Sequence, residues 1–220
     1  MTAKEEDILT STNLIQQGKV IDKLLESVIA NPEVKLDDML IGDKNALLVG
    51  TRVLGYGKDY KINLRDPDTG TKVEHSIDLT TLKNKEVDLK SIEGKSVLEF
   101  ELPNSKKVLE FKFLTHSDEV KIAEDLKGLE KIEKLTGVSS GLTTRLKYQI
   151  VSVDGKKDQQ IINNFIDNEF LALDHREFRT YVEKVTPDIE LKFDYTSQTG
   201  NLHTLDIPLG IGFFWPAAGK

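Results

Sequence analysis

The stretch from Asp43 to Leu79, DKNALLVGTRVLGYGKDYKINLRDPDTGTKVEHSIDL, decides how the chain reads. Asp43 is a good helix N-cap, because its carboxylate can accept from first-turn N–H groups that have no partner within the helix. Leu47, Leu48, Thr51 and Leu54 follow at helical spacing on one face, and Gly55 and Gly57 stop the helix. Strands are expected over Tyr60–Leu64 and Lys72–Leu79, joined by Asp66-Pro67-Asp68-Thr69-Gly70, residues that favour turns. The stretch is a capped helix feeding a β-hairpin.

A similar unit returns later. Asp174 is placed to cap a helix whose Phe178, Tyr181, Val182 and Val185 share a face, and Pro187 ends it. Strands Ile189–Tyr195 and Leu202–Leu209 then flank Ser197-Gln198-Thr199-Gly200-Asn201. Superposing Gly70 on Gly200 sets Thr69 on Thr199, Ile77 on Ile207 and Leu79 on Leu209. A short helix precedes each capping Asp, around Val20–Ile29 and Gln160–Ile166. The expectation is an internal duplication, helix–helix–hairpin twice; chance recurrence of a common arrangement is the competing account.

Elsewhere, Leu14, Ile15, Ile21, Leu24, Leu25, Val28 and Ile29 predict an amphipathic helix before Pro32, and residues up to about Thr12 read as frayed or weakly helical. Between the two units, Leu98, Phe100 and Leu102 alternate with glutamates, as do Leu109, Phe111 and Phe113 with Glu110 and Lys112, around Pro103-Asn104-Ser105-Lys106. Period 2 makes this a hairpin with one buried face. Val97, Val108 and Leu114 fall on its charged side near the strand ends. A long helix, Glu119–Leu135, follows a Thr115–Asp118 cap, turns Val120, Ile122/Ala123, Leu126, Leu129, Ile132 and Leu135 inward and ends at Gly137. Residues 142–153 carry both helical and strand features, with helix preferred. The fold class is α+β, helices with antiparallel β-hairpins, divided as an N-terminal unit over 1–80, a connecting hairpin and helix over 81–140, and a C-terminal unit over 141–220.

At 220 residues the chain can bury a real core, and its net charge of −7, with no sustained basic run, argues against nucleic acid as a partner. The absence of cysteine removes disulfides, thiolate nucleophiles and Cys-based metal sites, and suits a reducing compartment. Met1–Asp7 is acidic with no apolar run behind it, so no signal peptide is expected. The uncharged run Ile207–Gly219 is too short to span a bilayer as a helix and is broken by Pro and Gly, so no membrane role is expected.

Candidate sites fall away one by one. Asp66–Gly70 superficially resembles a calcium loop, but Gly70 comes one residue early and Ile77 stands where a bidentate Glu belongs; a turn is the better reading. His75, His116, His175 and His203 are scattered, with no HExxH context. His116 and His175 lie beside helix caps, where exposed histidines are common, while His75 and His203 lie on equivalent strands and would approach if the hairpins pair. No nucleophile–base–oxyanion set, P-loop or dinucleotide fingerprint is present, so no cofactor and no enzymatic activity is expected. A carboxylate-dependent hydrolase using Asp37/Asp38 or Asp66/Asp68 is the remote alternative. The tail is different: Phe213-Phe214-Trp215-Pro216 is either core or an aromatic anchor for a protein partner, and these four residues are the candidate partner-binding site.

Three segments carry a resemblance: Asp43-x-x-x-Leu47-Leu48 through Arg52-x-x-x-Tyr56-Gly57, then Thr144-Arg145-Leu146 with Ile150-x-Ser152-Val153-Asp154-Gly155, then Ile207-Pro208 with Phe213-Phe214-Trp215-Pro216. In order and spacing they resemble the T4-type bacteriophage baseplate hub proteins, a family of hub subunits and hub-assembly factors, from about Leu14 to Pro216. The resemblance implies a non-enzymatic structural subunit of the central hub of a contractile tail baseplate. It implies other hub proteins and the tape-measure protein as partners and a place in the virion tail after assembly in the host cytoplasm; self-association is a separate expectation. A transient, chaperone-like hub assembly factor is the alternative within the same family. Some members carry Cys-x-x-Cys pairs in the hairpin turns; here those turns hold Asp66–Gly70 and Ser197–Gly200, so zinc is not expected.

Overall fold

The computed structural model describes residues 1–214, apart from the side chains of Lys131, Ile132, Glu133, Thr136 and Ile211. The chain opens with helices α1 (Ala3–Thr10), α2 (Thr12–Gln16) and α3 (Val20–Val28). Where weak helicity was expected, α1 is regular, started by the Glu5 carboxylate accepting from Thr2 N at 2.6 Å. The single amphipathic helix expected over Leu14–Ile29 is instead α2 and α3, because Gly18 takes φ +68° and breaks the run. Next come α4 (Ile41–Tyr56), strands β1 (Asp59–Arg65) and β2 (Lys72–Asp78), and the short α5 (Leu89–Ile92). Strands β3 (Leu98–Glu101) and β4 (Val108–Phe111) precede α6 (His116–Thr136), α7 (Gly141–Gln149) and β5 (Ile150–Val153). Helix α8 (Gln159–Asn164) runs into a π-helical turn, Phe165–Glu169, before α9 (Ala172–Val185). Strands β6 (Lys192–Thr196) and β7 (Leu202–Asp206) and helix α10 (Ile211–Phe214) complete the described chain. Every strand pairing among the described residues is antiparallel, and the architecture is α+β.

The chain forms two compact units: one from Met1–Leu36, Gly42–Lys85 and the chain from Asp188 on, the other from Asp37–Ile41 and Glu86–Pro187. Hairpin β1–β2 shares the first unit with α4, while α9 falls in the second unit and β6–β7 in the first. The first unit lets the chain out and takes it back side by side: Lys85 N donates to Asp188 O at 2.9 Å and Glu190 N to Lys83 O at 2.8 Å.

In the second unit, β4 is the central strand of the order β3-β4-β5. Its Leu109 and Phe111 are fully buried, and Phe111 meets the rings of Phe178 on α9 at 5.2 Å and Tyr181 at 6.0 Å. Val97 and Val108, on the charged side, are exposed, whereas Leu114 lies beyond the end of β4 and turns inward. The segment read mainly as helix divides into α7 and then β5. Strand β5 is closed by Asp154 and Gly155 at φ +51° and +74°, the pair of left-handed residues that a tight hairpin turn requires. The Asp154 carboxylate also accepts from Val108 N at 2.8 Å, so the turn is stitched to β4.

Three sequence expectations are corrected by what each residue meets. Leu54 is 87% exposed, because the buried arc of α4 centres on Arg52, about 200° around the helix axis from it. Val120 and Leu135 on α6 are exposed while Ile122 is 2% exposed, so this helix meets its core near its start and leaves it toward Gly137. Asp43 and Asp174 lie inside the first turns of α4 and α9 rather than at their N-caps. Asp174 instead accepts from Asn104 N and Asn104 Nδ2 at 2.8 Å and from Ser105 N at 2.9 Å, holding the β3–β4 turn. The expected cap of α6 does form: Thr115 N donates to Asp118 Oδ2 at 3.1 Å and Asp118 N to Thr115 Oγ1 at 3.3 Å.

Burial of Asp174 opposes its ionisation, but the donors on Asn104 and Ser105 prevail and hold it at about 2. Asp174→Ala strands two backbone N–H groups and is expected to destabilise the protein by about 2–4 kcal/mol, read as a lower urea midpoint.

Candidate functional site: the paired hairpin turns and the aromatic anchor

The β1–β2 turn is built by its first residue. Asp66 N donates to Thr71 O and Gly70 N to Asp66 O, both at 2.8 Å, while Asp66 Oδ1 accepts from Asp68 N at 3.0 Å and Thr69 N at 2.9 Å. Gly70 supplies the required positive φ of 71°. The β6–β7 turn closes in the same manner, with Ser197 N to Asn201 O at 2.8 Å and Gly200 at φ +91°.

The two turns meet face to face. Asp66 Oδ2 accepts from Tyr195 OH and from Gln198 N, both at 2.8 Å. Asp68 Oδ2 accepts from Ser197 Oγ at 2.5 Å, from Asn201 Nδ2 at 3.0 Å and from Thr199 Oγ1. Its other oxygen lies 3.1 Å from His203 Nε2. Below the turns, His75 stacks on Phe193 and meets Tyr195 edge-on, each at a centroid distance of 5.4 Å. The hairpins therefore do pair, and His75 and His203 both serve that contact, each with a different partner.

Burial of Asp66, 1% exposed, opposes its ionisation, but the donors on Gln198, Thr69, Tyr195 and Asp68 outweigh this and hold its carboxyl at about 2. Hydrogen bonds from Ser197, Thr199 and Asn201 pull Asp68 well below the usual carboxylate range. These shifts run the wrong way for a general acid, and the oxygens already face protein donors. Asp37 and Asp38 are exposed on a 3₁₀ turn. Among the described residues no group of three His, Asp or Glu could hold a metal ion. His116, expected at an exposed cap, is 5% exposed, and burial lowers the pKa of the partly buried His175.

At the far end of β1 lies the aromatic anchor. Phe213 and Phe214 are 1% and 0% exposed, and Phe213 meets Tyr60 edge-on at 4.9 Å. Of the four candidate partner-binding residues these two are core residues of the first unit, since their rings fill apolar space against β1; Trp215 and Pro216 lie outside the described residues. The backbone of the segment is held by Arg52, 1% exposed, whose Nε donates to Phe213 O at 2.9 Å. Its other nitrogens donate to Gly57 O at 2.9 Å and Asp59 O at 3.2 Å, and Tyr56 and Tyr60 flank the guanidinium at 5.4 and 5.9 Å. Sequence reading missed Arg52; a lone arginine on the apolar arc of a helix was the available signal.

These features define a class: an α+β protein whose buried Asp66, Arg52 and aromatics Phe213 and Phe214 serve structure. The family described as T4 bacteriophage base plate protein matches residues 1–214, and the chain belongs to it. Comparison with curated proteins and with solved structures finds no match. Membership makes it a structural protein of the phage tail baseplate, with baseplate proteins as its partners. Among the described residues no helix is long and apolar enough to cross a membrane.

Two outcomes test the site. The unfolded carboxyl of Asp titrates at about 3.9, above its folded value at Asp66 and Asp68, so their contribution is full above about pH 4 and is lost as pH falls. Asp66→Asn is expected to lower the melting temperature at neutral pH and to flatten its fall in acid, followed by circular dichroism. Phe213→Ala opens a core cavity and is expected to destabilise by about 3–5 kcal/mol in urea unfolding; a surface anchor would show almost no change.

Proposed function

We propose that the chain is a subunit of the central hub of a contractile-tail baseplate, acting by protein–protein contact with other hub proteins and the tape-measure protein. The family match across residues 1–214 carries this reading. The state of its carboxylates supports a non-enzymatic role: Asp66, Asp68 and Asp174 are each committed to turn donors. The net charge of −7 suits assembly in a cytoplasm crowded with nucleic acid, since it limits adhesion to phosphate. The aromatic tail, through Trp215 and Pro216, is proposed as one contact and the hairpins as others.

The deciding measurement is crosslinking mass spectrometry on purified phage tails. Crosslinks from this chain to hub or tape-measure proteins in the mature particle are expected. Its presence in infected-cell lysate together with its absence from particles would instead assign a transient assembly factor.

A further inference from the structure

Strand β2 is left with one open edge among the described residues. The hairpin ladder runs through Tyr60, Ile62 and Leu64 opposite Ile77, His75 and Val73, in phase with the closing bonds from Asp66 N to Thr71 O at 2.8 Å and from Leu79 N to Lys58 O at 2.9 Å. In an antiparallel pair the alternate residues turn their N–H and C=O groups outward. On β2 these are Lys72, Glu74, Ser76 and Asp78. Strand β1 is the sole strand paired with β2 among the described residues, and the outward backbone groups of Glu74 and Ser76 have no partner there. The side chains of Lys72, Glu74 and Ser76 are exposed, and this edge carries no proline or bulge to turn away another strand.

Antiparallel pairing of a strand with its own copy sets each residue opposite the one equally far from the strand centre. On β2 that centre is His75, so Lys72 meets Asp78 and Glu74 meets Ser76, and the two-fold axis repeats both pairs. The other edges do not suit a second copy. Strand β3 would set Glu99 against Glu101, and β6 would set Asp194 against itself. Strand β7 would place Asp206 opposite Leu202. On β1 the carbonyl of Asp59 is already taken by Arg52 at 3.2 Å, and on β5 Val153 N already donates to Lys156 O at 3.1 Å.

We infer that two copies of this chain join by antiparallel addition of β2 to β2 about a two-fold axis at His75, making one four-stranded sheet. The backbone groups of Glu74 and Ser76 then bond across the axis, and the Glu74 carboxylate of each copy accepts from Ser76 Oγ of the other. Lys72 gains from the partner's Asp78 the ion pair it lacks among the described residues of its own chain. Asp78 holds Lys58 Nζ at 2.7 Å on one oxygen and Thr80 N at 2.9 Å on the other, and a carboxylate's roughly four lone-pair directions leave room for a further donor. The contact is isologous: its charges match pair by pair across the axis, so neither face needs a net charge. The dimer does not depend on the hub assignment and is tested apart from it.

Sedimentation velocity on the full chain tests the dimer, from about 1 to about 200 µM protein at about 0.15 M salt. The wild type is expected to pass from monomer to dimer over this series and to grow no further. Ser76→Glu sets a carboxylate against Glu74 at both pairs and is expected to weaken association at least about tenfold. Within the hairpin the same change faces Lys61, so this variant is expected to melt no lower than wild type. Glu74→Lys/Ser76→Glu restores opposite charges across the axis and is expected to recover at least the wild-type association. Hydrogen exchange at the Glu74 and Ser76 amides is expected to slow as concentration rises, with the ladder-bonded His75 amide unchanged. A wild type monomeric throughout, its edge then free for a strand of another protein, would overturn the inference. So would growth past the dimer, Ser76→Glu associating like wild type or losing association only together with thermal stability, a double variant that stays monomeric, or Glu74 and Ser76 amides indifferent to concentration.

Discussion

One buried carboxylate organises the first unit. Asp66 spends one oxygen on the N–H groups of its own turn and the other on the facing hairpin, through Tyr195 OH and Gln198 N. A carboxylate has about four lone-pair directions, and here both oxygens are directed at donors that the fold holds in place. Two-stranded hairpins are marginal alone, and β1–β2 and β6–β7 become stable elements by sharing this group and the aromatic layer beneath it. Asp68 repeats the arrangement at the surface with Ser197, Asn201 and His203.

Arg52 plays the complementary part at the other end. Its guanidinium is buried without a carboxylate partner among the described residues, and it gathers the carbonyls of Gly57, Asp59 and Phe213. These carbonyls lie at the exit of α4, at the start of β1 and in α10, so one planar donor ties a helix end, a strand and the last described turn. Burial lowers its pKa, yet an arginine remains charged throughout the ordinary pH range. Lysine, a point donor on a flexible stem, could not span the three carbonyls. In the second unit Asp174 does similar work, joining α9 to the β3–β4 turn.

In both units these buried charges are held by fixed partners. Asp66, Asp174 and Arg52 are occupied by amides, hydroxyls and carbonyls of the fold, which suits a baseplate component that must hold its shape.

Period-2 alternation and turn chemistry were enough to place β1–β2 and β3–β4 to within a few residues, because those signals are local and one buried face enforces them. The α+β class, the breaks at Gly57 and Gly137, the Thr115–Asp118 cap and the family resemblance were legible for the same reason. Strand β5 was not legible as a strand, since its pairing with β4 crosses α6 and α7, and no local pattern records a partner that far along the chain. Tertiary structure alone decided that Asp174 would serve a turn about 70 residues away rather than cap its own helix, and that Arg52 and not Leu54 would face inward. It also decided that Phe213 and Phe214 are core. Each depended on which donors, carbonyls or rings arrived opposite the side chain, a long-range fact set by the competition among contacts rather than by the neighbours in sequence.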